Sequence, residues 1–477
     1  MKDLFKRILN NPTLMTWAAY FVQFGNLVFI LPLILSKFNE PEQNIWFFLN
    51  FIMGIAALAD AGFGPTMVRA YSYFKAGAES IPRDKKEYEK SAGVVDSKPN
   101  LNKLKDLLTT SHRIYLIIGM VVLVFMSTGG VALTMNLMEQ AGNRPDLWIA
   151  YVFFVLFSVI TVITTRWSSA IRGLDYVAFE SRTSTFLGVL KTLLFIVLLL
   201  MNKGILWMVG YMFIESLVRY WYLRRFVIQW FHQNGISIDN KYAFKKEIFN
   251  SIWKTTWNTG LTFIALYIIG YIDTLIVGQF HNTKEINSFF ITKRIFTFIK
   301  GFSRAPFYAN VQRVYSIGAT KDFEALKHKS SVYIFYSMAL VLGQFIGIAL
   351  LGNWILGFFT ETRLVGPLIY TIMALTVILD FHSSFHADIY LSTNHFPFLV
   401  PAGITGIVIG AFGIPAATHF GILGLVLVPF VASLIVNNWY PVYLSFKLTN
   451  WNMKQYIKDL FIFGFQDIHY RLKNIKK

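Results

Sequence analysis

The sequence predicts an all-α polytopic membrane protein with about twelve transmembrane helices, and three observations predict it. Of the 477 residues, 55% are hydrophobic and 15% charged, with a mean hydropathy of +0.49, outside the range of a water-soluble globular chain of this length. The apolar residues gather in runs of about twenty or more, the length that crosses a hydrocarbon core ~30 Å thick. The loops between the runs then divide by charge. With both ends on the inside, the outer loops hold five cations (Lys37, Arg144, Lys203, Lys284, Arg363) and the inner segments hold twenty-nine, the bias expected of cytoplasmic loops.

The spans fall roughly at 14–36, 44–74, 112–136, 147–171, 183–201, 205–230, 251–279, 286–316, 329–352, 364–390, 397–415 and 421–446. The first follows a short basic segment (Lys2, Lys6, Arg7) without a small-residue cleavage site, so it is expected to stay as an uncleaved anchor. The second contains Asp60-Ala61-Gly62-Phe63-Gly64-Pro65, two glycines and a proline that break a hydrophobic helix, either as a hinge or as a packing kink. A polar, charge-rich connection with Pro82 and Pro99 fills 75–111 and reads as a flexible or partly helical linker. Arg166 lies near the inner end of the fourth span, and Lys191 sits in the fifth span with no acid of its own. Lys191 is therefore paired with an acid from another helix or open to a cavity. In the sixth span, Glu215 and Arg219 have the i, i+4 spacing of an intrahelical ion pair.

A basic connection at 231–250 separates two six-span halves, 1–230 and 251–446, followed by a tail at 447–477. Such a division is what a parallel internal repeat gives. The seventh span carries Asp273, a carboxylate able to take a proton, accept a cation or pair with a buried base. On the eighth, Lys293, Lys300 and Arg304 fall within about 40° of one another, a basic stripe ~16 Å long. A charge at mid-bilayer costs at least ~2.5–3.5 kcal/mol, so the stripe is expected to face a watery cavity or bound anions rather than lipid. The tenth span holds Asp380, His382, His386 and Asp388. The two histidines share a face, but no HExxH motif accompanies them, and a polar lining or proton relay is the expectation rather than a metal site. The tail mixes Tyr456, Phe461 and Phe465 with Lys454 and Lys458, as an interfacial helix on the cytoplasmic leaflet does.

The sequence also excludes whole classes of chemistry. Without cysteine there is no disulfide framework, thiolate metal site or cysteine nucleophile. No Walker motif, GxSxG elbow or dinucleotide fingerprint is present, so neither an enzyme nor a bound cofactor is expected. Of 44 Lys and Arg, ten lie at or within the spans against about five acids, giving the membrane-embedded part a positive surplus. Because the cations are anchored in the membrane, anionic lipid is a better match for them than nucleic acid.

The order of these features resembles the polysaccharide-unit (O-antigen or oligosaccharide-lipid) flippases of the multidrug/oligosaccharidyl-lipid/polysaccharide (MOP) exporter superfamily. The likeness rests on ALADAGFGPTMVRAYS in the second span, YIDTLIVGQF in the seventh and FGILGLVLVPFVASLIVNNWY in the last. The sequence departs from that pattern at INSFFITKRIF, which has Phe where relatives often place Gly and Tyr, and in a longer loop after Ala76. The resemblance implies a monomeric bacterial inner-membrane transporter with two six-helix lobes around a central cavity, MOP/MATE-like, and both termini cytoplasmic. Its cargo would be a polyprenyl-pyrophosphate-linked oligosaccharide, moved by alternating access with proton or sodium coupling, alongside a polysaccharide polymerase and glycosyltransferases. Arg69, Lys191, Lys293, Lys300 and Arg304 would then form a cationic cavity for the headgroup. Asp60, Asp273, Glu215 and Arg219 would be the coupling or gating groups. A cation-coupled multidrug exporter of the same superfamily is the alternative.

Overall fold

In a computed structural model, the structure describes residues 9–25, 29–60, 62–83, 85–90, 98–238, 243–277, 283–358 and 362–475, with the side chains of 55, 57, 263–277, 283–284 and 474–475 excepted. The described elements are helical throughout, in the order the hydropathy windows require. Each of the twelve windows corresponds to one helix or to two consecutive ones. The first window holds α1 (Pro12–Gly25) and α2 (Leu31–Lys37), and the second α3 (Glu40–Leu58) and α4 (Phe63–Lys75). Next come a short helix α5 (Lys85–Lys90) and then α6 (Leu101–Phe125), which passes through a π-helical turn, Met126–Gly130, into α7 (Val131–Gln140). Helices α8 (Pro145–Gly173), α9 (Val177–Leu200), α10 (Ile205–Gln233) and α11 (Lys246–Val277) each match one window. The eighth window holds α12 (Thr283–Tyr308) and α13 (Val311–Thr320), and α14 (Phe323–Leu356), α15 (Pro367–Leu391) and α16 (Leu399–Phe420) follow singly. The last window holds α17 (Ile422–Ile435) and α18 (Tyr440–Thr449), and the tail forms α19 (Met453–Ile475).

Seven of these runs among the described residues are, by length and composition, able to cross a membrane: Leu101–Gln140, Pro145–Gly173, Val177–Leu200, Phe323–Leu356, Pro367–Leu391, Leu399–Phe420 and Ile422–Thr449. The remaining windows are interrupted, as at α1/α2 and α3/α4, or carry charge, as in α10, α11 and α12. Large apolar side chains stand exposed along the long helices, among them Ile117, Phe186, Leu350 and Ile407. In water such a surface would aggregate; in a bilayer it meets lipid. Hydropathy and helices together make this a multi-pass membrane protein.

The chain resolves into two compact units, one of Met1–Ile81 with Asp96–Thr256 and one of Pro82–Val95 with Trp257–Lys477. In the first, α8 packs on α10, α6 and α4, and α1 packs on α9. The contact of α8 with α4 is close: a Cβ on Gly173 would lie 2.3 Å from Cβ of Tyr71, so nothing larger than glycine fits. In the second unit, α14 packs on α12 and α19, and α15 on α18 and α17. Phe296 meets Phe345 and Tyr370 at ring distances of 4.6 and 5.0 Å, and Phe307 meets Phe385 at 4.6 Å, so aromatic edges fill the second unit's core.

Two segments differ from the sequence expectation. The connection expected over 75–111 is shorter, because α6 begins at Leu101 with Asn100 as its N-cap, accepting from the Lys103 N–H at 3.2 Å. The tail helix α19 does more than lie at an interface. It is buttressed along α14, with Phe335 5.3 Å from Phe465 and the Tyr336 hydroxyl donating to Asp467 at 2.8 Å.

Candidate functional site: embedded charge clusters

The helix break in the second window comes from one carboxylate and one glycine. Gly62 takes the left-handed conformation at φ 79°, open to glycine at little strain. Asp60 then turns back on the new helix start and accepts the Gly64 N–H at 2.8 Å, while its other oxygen accepts the Tyr115 hydroxyl at 2.7 Å from α6. The carboxylate thus satisfies a backbone donor orphaned by the break and faces the positive end of the α4 dipole. One turn further along α4, Arg69 is 1% exposed and donates to Thr66 Oγ1 at 2.9 Å. Arg166 on α8 is equally buried, lies 4.1 Å over the Trp167 ring and contacts His112 Nδ1. Arg69, a candidate for the cationic cavity, is buried on α4.

A second cluster lies between α9 and α10. Glu180, in the first turn of α9, accepts Arg219 Nη2 at 2.8 Å, Ser168 Oγ at 3.1 Å and Ser184 Oγ at 3.4 Å, and its other oxygen stands 3.7 Å from Arg172 Nη1. Further along, Lys191 Nζ lies 3.5 Å from Glu215 Oε2. The intrahelical Glu215–Arg219 pair expected from spacing is therefore not made. Each partner reaches across to α9 instead, because α9 offers an opposite charge at both levels. Lys191, open to either reading in the sequence, is paired with an acid of another helix.

The third cluster joins α12 to α15. Arg304 Nη2 meets Asp388 Oδ2 at 3.1 Å, and Tyr315 of α13 donates to the other oxygen of Asp388 at 3.1 Å. Lys300 stands within electrostatic reach of Asp380. Within the basic stripe, Arg304 thus faces an acid on α15. Lys293, at the top of the stripe, is half-buried beside Thr292, whose hydroxyl accepts the Val365 N–H at 3.1 Å. The Asp273 side chain lies outside the described residues.

The histidine pair of α15 is structural in this arrangement. His386 is fully buried with Nδ1 2.7 Å from Ser445 Oγ, and His382 Nε2 lies 2.8 Å from the Tyr456 hydroxyl. Phe446 and Tyr456 pack on the two rings with Trp451 behind them, so the pair anchors α18 and the start of α19. Among the described residues, no group of three His, Asp or Glu could hold a metal ion.

Sequence reasoning missed Glu180 as the hub of the second cluster. It lies three residues outside the hydropathy window at 183, between Arg172 and Arg182, and so reads as a loop acid. The usable signal was helical phase, since Glu180 and Ser184 share a face once the helix is begun at Val177.

No family model matches the chain, and no curated protein does. Solved structures do. The chain is similar to the outward-facing conformation of a multidrug resistance MATE family transporter of the MOP superfamily, with a TM-score of 0.68 and 14% identity over 94% of this chain and 99% of that one. It is similar to a MATE transporter of Vibrio cholerae, VcmN, in the bent form, with a TM-score of 0.62 and 14% identity over 93% of this chain and 98% of that one. It is also similar to a MATE protein in complex with MaD3S, at 0.65 and 14% over 93% and 99%. The chain therefore has the fold of the MATE transporters, along nearly its whole length.

Proposed function

We propose that the chain is a membrane exporter working by alternating access, in the bacterial inner membrane with both termini cytoplasmic. The observation that carries this is the MATE fold, shared over 93% or more of the chain with transporters of that name. No protein cofactor enters the reading; a proton or sodium ion would supply the coupling, with Asp60 and Asp273 as its candidate acceptors.

Two cargoes divide the observations. The similar structures favour a multidrug substrate, since that is how one of them is described. The pairing of Lys191 and Arg304 with acids points the same way, because it removes part of the positive surplus that an anionic headgroup would use. The sequence motifs and the formal charge of +18 favour flipping of a lipid-linked oligosaccharide as a monomer, working beside a polymerase and glycosyltransferases, with anionic lipids around the basic inner loops. In this second reading Lys293 is one of the headgroup contacts to test, with Lys300 and Arg304.

A deletion strain separates the cargoes. Loss of surface polysaccharide with unchanged drug susceptibility supports flipping; hypersensitivity to cationic drugs with normal polysaccharide supports multidrug export. Lys293→Gln, leaving Lys300 and Arg304 in place, should reduce polysaccharide display at least fivefold if the chain is a flippase. Full display at normal protein level would remove Lys293 from the site.

A further inference from the structure

The connection from α4 to α6 is longer than most connections between packed helices, and loops of that length in compact proteins tend to carry function. Its neck is closed within the first unit: the Asn100 N–H donates to the Phe74 carbonyl at 2.8 Å, and the Asn100 amide donates to the Ala78 carbonyl at 3.3 Å. Its middle belongs to the second unit. Helix α5 has the sequence KKEYEK, five charges around one aromatic, and that aromatic is what the fold buries. Tyr88 is 3% exposed and donates to the Gly318 carbonyl at the end of α13 at 2.7 Å. Burial pushes its phenol above the ordinary range.

Two further groups of the second unit close on the same segment. Lys321 Nζ lies 4.9 Å over the Tyr88 ring and donates to the Glu89 carbonyl at 3.3 Å. Asn394, 1% exposed in the turn after α15, donates to the Pro82 carbonyl at 2.9 Å. The receiving surface is tightly packed. A Cβ on Gly318 would lie 2.3 Å from Ser392, so α13 and the turn are already in contact beneath the tyrosine. The span count independently places 82–90, 318–321 and 392–395 on one side of the membrane, as these contacts require.

We propose that Pro82, Arg83 and α5 form a strap, a segment from the N-terminal half of the chain that latches onto the α13 and α15 corner and releases during the transport cycle. The dock is small enough to be reversible: one aromatic, three hydrogen bonds and one cation over a ring. A helix of six residues does not persist alone, so release would also melt α5 and give the latch two discrete states. The coupling to transport rests on the exporter reading; the docking does not.

The test uses the full-length protein in membrane vesicles. Tryptic cleavage at Arg83, Lys85, Lys86 and Lys90, followed by mass spectrometry, should be slow in the wild type. It should rise at least tenfold in Tyr88→Ala and about threefold in Lys321→Ala, with the detergent-solubilised monomer peak unchanged. Equal cleavage in wild type and both variants would overturn the dock. Because the chain has no cysteine, Glu89→Cys with Lys321→Cys can be joined by a short reducible bismaleimide. Ethidium efflux or surface polysaccharide staining, whichever the wild type supports, should fall at least tenfold on joining and recover on reduction. Undiminished transport in the joined protein would overturn the release step. A wild type inactive in both assays would count against the exporter reading, and the cleavage rates would still decide the strap.

Discussion

Each unit of the molecule sets membrane-embedded charges against one another across helices, and the two units do it differently. Between α9 and α10, each helix carries both signs: Glu180 and Lys191 on one, Arg219 and Glu215 on the other. Between α12 and α15 the signs are segregated, with Lys300 and Arg304 on α12 and Asp380 and Asp388 on α15. If α9 and α10 drew apart, Glu215 and Arg219, four residues apart, could pair with each other. If α12 left α15, two cations and two carboxylates would be stranded at once. Mixed helices tolerate relative movement; segregated helices resist it, or move only when water or a ligand takes over the charges.

The contrast can be tested by removing single partners. Asp388→Asn should have the largest effect, about 2–3 kcal/mol, below the ~3–5 kcal/mol of a fully buried pair because the Arg304 side chain is 34% exposed. Thermal unfolding in detergent would show it, and Asp388→Asn combined with Arg304→Gln should recover part of the loss. A double loss equal to the sum of the Asp388→Asn and Arg304→Gln losses would mean that the pair is not coupled. Glu180→Gln should cost less, about 1–2 kcal/mol, since the amide oxygen still accepts from Ser168 and Arg219 while losing the charge. Glu215→Gln should be smallest, roughly 0.2–1 kcal/mol, as its partner Lys191 is 28% exposed and the 3.5 Å pair is long. If Glu215→Gln proved as damaging as Asp388→Asn, the difference between mixed and segregated helices would fail.

The helical architecture was legible because apolar length and loop charge are one-dimensional properties. All twelve windows found helices, and the break at Asp60 to Gly62 was visible as glycine and proline in an apolar run. Partner choice was not legible in the same way. Spacing put Glu215 beside Arg219 and gave Lys191 no acid, but the choice of partner depends on which helix α9 faces and at what height, and that is tertiary. The basic stripe was correctly aligned on α12. Its meaning changed once Asp380 and Asp388 stood opposite, because helical phase fixes which residues share a face and says nothing about the neighbouring helix. Glu180 was lost because the hydropathy window begins six residues after the helix does, and the strap was invisible since a polar loop with one tyrosine has no periodicity to betray a dock.

The π-helical turn at Met126–Gly130 has a consequence for how the chain tolerates length changes. Such a turn holds one residue more than the α-helix around it. The faces before and after it are already in phase, with Ile118 and Val122 buried upstream and Thr134 and Met138 buried downstream. Removing one residue inside the turn would convert it to ordinary α-helix without rotating either flank, whereas a deletion elsewhere in the 40-residue run from Leu101 to Gln140 would turn everything beyond it by about 100°. The Met126 carbonyl, which the Tyr151 hydroxyl reaches at 2.6 Å, would return to the helix ladder.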